Sequence, residues 1–240
     1  MSTTTEFVNL KVDDGSSMRA YVARPESAPR AGLIVFQEIF GINSHIRDVT
    51  ERFAREGYLA IAPELFHRSG PSFESGYTDM AAGIGHMQQM TDAGLAADIR
   101  AAFDWIQNAS PAKKLSTGSI GYCMGGRAAT LAAMTVPLAC GISYYGGGIA
   151  PSPFNPGLIG RFNEIQAPML FFWGGLDGFI KPEHVKMVTD GMRAANKPFA
   201  SIEFSDADHG FFCNERASYN ANAASEAWPM MLAYLKNHAG

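Results

Sequence analysis

Short apolar runs alternate along the chain with stretches whose apolar residues recur at helical spacing. Residues 32–36 (Gly-Leu-Ile-Val-Phe) form a continuous apolar run, which is typical of a strand buried on both faces. Ile46, Val49 and Phe53 then fall on one face of a helix, and a second strand-like run follows at 58–62. Because strands alternate with helices, the sequence predicts a mostly parallel sheet with helices on both faces.

The same alternation continues to the C-terminus. Further strands are predicted at 115–121, 138–144, 168–173 and 199–204, and further helices at 95–106, 124–136, 182–195 and 218–238. Residues 6–12 and 18–24 flank the turn sequence Asp-Asp-Gly-Ser and predict an antiparallel hairpin. Together these segments predict an α/β fold with about eight strands in one single domain, residues 1–240.

Composition and charge exclude several classes of protein. The net charge of −4 comes from scattered residues, so no nucleic-acid partner is expected. The chain has no run of about 18 apolar residues and no basic N-terminal segment before an apolar one, so neither a membrane span nor a signal peptide is expected. Three cysteines argue against a disulfide framework and favour a cytoplasmic protein.

The pentapeptide Gly121-Tyr-Cys123-Met-Gly125 lies between a predicted strand and a predicted alanine-rich helix. G-x-nucleophile-x-G in this position is typical of a nucleophile elbow, a tight strand-to-helix turn that holds its central side chain clear of the backbone. Here that side chain is a thiol. A buried cysteine beside a glycine-rich turn would show the same five residues, so the pentapeptide does not decide by itself.

Two further residue types complete a possible catalytic triad. Asp177 follows a buried strand and His209 follows the last strand, so both are expected at the sheet edge where Cys123 lies. The chain order nucleophile, acid, histidine is that of α/β-hydrolases. Asp206 stays open as an alternative partner of His209, whereas Asp208 is disfavoured because adjacent side chains of an extended segment point to opposite sides.

The remaining cysteines and histidines are expected to have structural roles. Cys140 lies within an apolar strand and is expected to be inert. Cys213 follows His209 closely; packing is favoured for it, although it remains a candidate for the site. No spacing of cysteines and histidines resembles a zinc site, and nothing in the sequence implies a metal or an organic cofactor.

The run Gln37-Glu38-Ile39-Phe40-Gly41, the elbow around Cys123, the strand-end Asp177 and the segment His209-Gly210-Phe211 together resemble the dienelactone hydrolase (carboxymethylenebutenolidase) family. The resemblance extends over essentially the whole chain. It implies an α/β-hydrolase fold with no large cap domain, a cysteine nucleophile and a monomer.

The resemblance also implies roles for individual residues. Glu38 is expected to be the buried carboxylate that contacts the resting thiol. The backbone N–H groups of Ile39 and Met124 are expected to form the oxyanion hole. Met124 opens a helix, so its N–H has no partner within that helix, which supports its assignment independently.

The chain departs from the family pattern where the substrate carboxylate would bind. Family members that open the anionic dienelactone hold it with two arginines, one before the elbow and one shortly after the histidine. No arginine lies between Arg68 and Arg100, and Arg216 comes later than the pattern requires. We therefore expect no bidentate carboxylate clamp, although Arg68 or Arg216 could still reach the site.

Aromatic residues are weak candidates for the substrate pocket, because aromatic side chains belong more often to the core. The candidates are Phe40, Phe66, Tyr77, Tyr144, Tyr145 and Phe211.

The sequence thus predicts a cysteine hydrolase that acts on a small-molecule lactone or carboxylic ester through a thioester acyl-enzyme. Without the arginine clamp, a neutral or bulkier substrate is at least as well favoured as the anionic dienelactone. An acyl transferase or a thioesterase on the same scaffold is the alternative. A non-catalytic ligand-binding relative is disfavoured, because such proteins usually lack part of the triad.

Overall fold

The computed structural model describes residues 2–110, 114–152 and 155–240. Eight strands form one sheet in the order β1-β2-β4-β3-β5-β6-β7-β8. The strands are β1 (Thr3–Lys11), β2 (Ser17–Pro25), β3 (Ala31–Phe36), β4 (Tyr58–Pro63), β5 (Thr117–Tyr122), β6 (Cys140–Tyr144), β7 (Met169–Gly174) and β8 (Phe199–Phe204). β2 is antiparallel to both β1 and β4, and all other neighbours are parallel.

The described helices connect or follow these strands. They are α1 (Ser44–Arg55), α2 (Met80–Gln88), α3 (Asp92–Ala109), α4 (Met124–Thr135), α5 (Pro182–Ala194) and α6 (Ala221–Ala239), with a 3₁₀ helix at Ile159–Glu164. The predicted α/β fold with eight strands is confirmed, and the predicted boundaries agree to within a few residues. α2 and the 3₁₀ helix were not predicted.

Two glycines show how helices cover both faces of the sheet. A side chain at Gly32 of β3 would collide with Ile106 of α3, whereas one at Gly118 of β5 would contact Leu235 of α6. Gly32 pairs with Thr117, so Gly118 is one residue out of phase with Gly32 and points to the other face. α3 and α6 therefore cover opposite faces.

The central strands explain the continuous apolar runs of the sequence. Every residue of β3, β4, β5, β6 and β7 is buried. Because β3 and β5 to β8 are parallel, their carboxyl ends meet at one edge of the sheet, where the predicted functional residues follow them. Within the described part of the chain, no helix has the length and apolar character needed to cross a membrane.

Gly121 is expected to tolerate no side chain. A Cβ there would lie 1.8 Å from the carbonyl oxygen of Gly125. Because this oxygen belongs to the backbone of the same turn, it cannot move aside as a flexible side chain would. We expect Gly121→Ala to lower the free energy of unfolding by about 1–3 kcal/mol in urea titrations. Gly160→Ala is the control, because a Cβ at Gly160 meets nothing within 4 Å. Equal stability of the two variants would contradict the prediction.

Candidate active site

Cys123 lies in a strained turn between β5 and α4. Its backbone angles are φ 56° and ψ −119°, a region that residues with a side chain rarely adopt. The turn is held by tight packing of α4 on β3, since a Cβ at Gly125 would lie 2.4 Å from the carbonyl oxygen of Phe36. The thiol is half-buried and lines a cleft above the sheet edge.

His209 and Asp177 form a buried pair beside this turn. Nδ1 of His209 lies 2.7 Å from Oδ2 of Asp177. Oδ1 of the same carboxylate accepts hydrogen bonds from the backbone N–H groups of Phe179 (2.8 Å) and Ile180 (2.9 Å). Because the carboxylate is held by its own loop, it fixes the orientation of the imidazole. The alternative partner Asp206 does not hold this position.

The imidazole of His209 also contacts the sulfur. Burial disfavours its charged form, but the adjacent Cys123 side chain and the hydrogen-bonded Asp177 outweigh burial and raise the pKa of His209 to about 10. An imidazolium beside a sulfur stabilises the thiolate, which is the nucleophilic form of cysteine. Three residues remote in sequence thus meet at the cleft.

The two predicted oxyanion donors border the same position. Met124 is the first residue of α4, so its N–H points out of the helix toward the elbow. Ile39 lies just after β3, and both residues line the cleft together with Cys123. The positive end of the α4 dipole adds to the attraction for negative charge at this point.

Glu38 binds a different partner from the one expected. Its carboxylate is fully buried, and Oε1 accepts a hydrogen bond from Arg216 at 3.0 Å. Oε2 has no hydrogen-bond partner among the described residues, so the expected contact with the thiol is not made in this structure. Burial raises the pKa of Glu38, although the positive charges of Arg216 and His209 oppose this effect.

Arg216 reaches the cleft, whereas Arg68 does not. The guanidinium of Arg216 lies across Gly210, where a Cβ would come within 2.4 Å of it. Arg68 instead binds Asp98 through two hydrogen bonds of 2.9 and 2.8 Å. Of these two candidate arginines, Arg216 alone reaches the cleft, and it is paired with Glu38. The sequence did not predict which of the two arginines reaches the cleft, because residues 210–216 form a loop with no regular pattern.

Arg127 is a cleft residue that sequence reasoning missed. It lies four residues after Cys123, on the same side of α4, and this spacing could have identified it. Its guanidinium pairs with Asp92 at 2.7 Å, and its Nε donates to the carbonyl oxygen of Gly148 at 3.0 Å. Both interactions hold the side chain against the cleft wall.

Most of the aromatic candidates do not line the cleft. Phe40 lines the cleft, but Tyr144 and Phe211 are fully buried core residues. The hydroxyl of Tyr144 donates to the carbonyl oxygen of Ala227 in α6 at 3.3 Å, so this ring points away from the cleft. Phe66 is also a buried core residue. Strand alternation could not predict which buried rings border the site.

Tyr145 and Tyr77 lie near the site but outside the cleft lining. Tyr145 is fully buried, and its ring centre lies 5.1 Å from that of His209. The hydroxyl of Tyr77 accepts hydrogen bonds from Asn43 (2.9 Å) and from the thiol of Cys213 (3.1 Å). Burial raises the pKa of Cys213 to about 11, which fits the packing role favoured for this cysteine.

We expect Cys123→Ala to lower the pKa of His209 from its raised value, because the substitution removes both the charge and the hydrogen bond of the sulfur. The ring would then lose its proton at a lower pH than in the unmodified protein, closer to the ordinary histidine pKa of about 6.5. NMR titration of the imidazole nitrogens measures this change. Cys140→Ala is the control, since Cys140 is buried within β6; an unchanged His209 titration in Cys123→Ala would contradict the assignment.

Comparison with known proteins shows the family to which the chain belongs. The family model described as the dienelactone hydrolase family matches residues 18–239. A protein of Synechocystis sp. named "putative carboxymethylenebutenolidase" is 39% identical over 214 residues, which cover 87% of each chain. The carboxymethylenebutenolidase of Pseudomonas putida is 28% identical, with 96% of each chain covered.

A solved structure from Klebsiella pneumoniae, named "putative dienelactone hydrolase", superposes with a TM-score of 0.87 and 32% identity, covering 98% of this chain and 99% of that one. The expected α/β-hydrolase fold without a large cap and the expected hydrolase class are thereby confirmed, and the chain belongs to the dienelactone hydrolase family.

Proposed function

We propose that this hydrolase cleaves a lactone or carboxylic ester with Cys123 as nucleophile, His209 as general base and acid, and Asp177 as the group that orients His209. The observation that supports this assignment is the buried contact chain from the half-exposed sulfur to His209 and on to Asp177 at 2.7 Å. The sulfur end of this chain opens into the cleft, and the carboxylate end is closed by backbone N–H groups.

The reaction has two steps. The thiolate of Cys123 attacks the carbonyl carbon; the S–C bond forms, the C–O bond breaks, and the His209 imidazolium gives its proton to the leaving alkoxide. In the second step neutral His209 takes a proton from water, whose oxygen attacks the thioester. The S–C bond breaks, and the carboxylic acid leaves.

The carbonyl oxygen becomes negatively charged in both steps. We place it against the N–H groups of Ile39 and Met124, which border the cleft beside Cys123. Donors aimed at such an oxygen are worth about 2.7–4 kcal/mol each in the transition state. The N-terminus of α4 adds favourable electrostatic potential at the same position.

Glu38 is proposed to regulate this site rather than to take part in bond making. Its buried carboxylate is bound by Arg216 through Oε1, and contact with the thiol requires a movement of the carboxylate or of the Cys123 side chain. The free Oε2 gives the carboxylate a second position for a proton or a hydrogen bond. While Glu38 binds Arg216, His209 is the ionisable group that stabilises the thiolate of Cys123.

An acyl transferase and a thioesterase would share the acyl-enzyme and differ in the acceptor or the leaving group. A non-catalytic binding relative is disfavoured, because His209 has both Cys123 and Asp177 as neighbours. Hydrolysis is preferred over acyl transfer, since water is the acceptor and no second organic substrate is needed.

We expect Cys123→Ala to lower kcat for p-nitrophenyl acetate at least about a thousandfold, as loss of a nucleophile does in comparable enzymes. Cys140→Ala should retain full activity, because Cys140 is buried within β6. In the unmodified protein, mass spectrometry of a quenched reaction should show one acetyl group on Cys123. Unchanged turnover by Cys123→Ala would end the proposal.

The same assay separates hydrolysis from transfer. With methanol added in increasing amounts, a hydrolase releases mainly acetic acid, whereas a transferase releases mainly methyl acetate. Methyl acetate as the main product at low methanol concentration would favour the alternative function.

A further inference from the structure

α2 presents an apolar face to the cleft. Met80, Ile84 and Met87 are spaced four and three residues apart, so they lie on one side of the helix, and all three line the cleft. Met87 is 36% exposed. This face therefore has no protein layer covering it on the cleft side.

Apolar side chains face α2 from the segment after β7. Phe179 is 64% exposed, although its ring centre lies only 5.2 Å from that of His209. Ile180 and Val188 line the cleft as well. Phe179 thus adds to the apolar lining that Met80, Ile84 and Met87 contribute, and a continuous apolar lining of this kind is typical of a ligand-binding groove.

The cleft has room for such a molecule. Its volume is about 750 Å³, within the range usual for small-molecule sites. The two arginines that line it are paired with carboxylates, Arg127 with Asp92 and Arg216 with Glu38. Each guanidinium therefore has a carboxylate beside it, which weakens its attraction for an anionic substrate.

We propose that Met80, Ile84, Met87 and Phe179 form a subsite for an unbranched alkyl or aryl group of a neutral ester. This inference rests on the proposed function, because these residues line the same cleft as Cys123. Methionine side chains are flexible and polarisable, so they adapt to apolar groups of different shape. The substrate class is thus neutral esters or lactones with a sizeable apolar group.

The test is a series of p-nitrophenyl esters from acetate to octanoate. We expect kcat/KM to rise by about two- to fourfold per methylene until the cleft is filled, because burial of each methylene group lowers the free energy of the bound state by the corresponding amount. Met87→Gln should reduce the octanoate-to-acetate ratio about five- to tenfold. Met230→Gln is the matched control, since Met230 is 43% exposed on α6, away from the cleft. A flat series, or equal ratios in both variants, would overturn the subsite.

A binding measurement separates this outcome from failure of the proposed function. Octanamide should bind the Cys123→Ala protein more tightly than acetamide does, and Met87→Gln should weaken octanamide binding. Octanamide binding without any ester hydrolysis would support the subsite and overturn the proposed reaction. Hydrolysis of acetate without chain-length preference, and without octanamide binding, would overturn the subsite alone.

A second observation on α2 concerns Gly83. A Cβ at Gly83 would lie 2.1 Å from the carbonyl oxygen of Ile39 and 3.0 Å from its carbon. Gly85, two residues later, has nothing within 4 Å of such an atom. α2 can therefore approach the loop after β3 this closely only because residue 83 is a glycine and has no side chain.

We infer that Gly83 is a positioning residue for the oxyanion hole. The helix contacts the backbone of Ile39, whose N–H is one of the proposed donors, so displacement of this backbone moves the donor. Gly83 is the one fully buried residue of α2 among those described, and Met80 and Ile84 pack only partly buried against the core, so a small outward shift of α2 exposes little apolar surface. A variant with a side chain at this position is therefore expected to fold.

We expect Gly83→Ala to lower kcat for p-nitrophenyl acetate about ten- to a hundredfold with little change in KM, because the donor acts mainly in the transition state. Gly85→Ala is the control: both substitutions improve helix propensity equally, and only the first collides with Ile39. Urea unfolding shows whether both variants are folded. Equal kcat in the two folded variants, or a change confined to KM, would refute the role of Gly83.

Discussion

The position of the sulfur depends on how closely α4 approaches the sheet. Gly121 and Gly125 allow backbone to meet backbone at the end of β5, and no side chain would fit between them. This contact forces Cys123 into its positive-φ conformation and raises the thiol above the sheet edge. The proposed roles of His209, Asp177 and the N–H groups of Ile39 and Met124 all depend on the sulfur being held at this point.

Electrostatics at the site balances burial against paired charges. Burial works against the charged form of His209 and also against that of Glu38, yet each has an opposite charge beside it. Asp177 and the sulfur favour the imidazolium, and Arg216 favours the carboxylate. The two pairs lie side by side, so a change at one alters the potential at the other.

Much of this site could be predicted from sequence, because parallel strands end at one edge and the residues that follow them must meet there. Cys123, Asp177 and His209 all follow buried strands. Helix α2 was missed because its glycines and mixed pattern give no clear period. Most of the aromatic candidates lie outside the cleft lining, because buried rings and cleft-lining rings look alike in sequence. The loop to Arg216 turns at Gly210 with φ +82°, a path that spacing alone does not show.

The pairing of Asp92 has a consequence for how the cleft can change. Asp92 is the first residue of α3, and its carboxylate binds Arg127 of α4 at 2.7 Å and Arg161 of the 3₁₀ helix at 3.4 Å. Three elements are thus tied together by one side chain, which makes that wall rigid. α2 is held differently: the salt bridges among the described residues include none from this helix, and His86 instead forms a hydrogen bond with the uncharged hydroxyl of Ser69 at 2.9 Å. The two walls of the cleft therefore respond differently to salt, because screening weakens the ion pairs of Asp92 and leaves the contact of His86 unchanged.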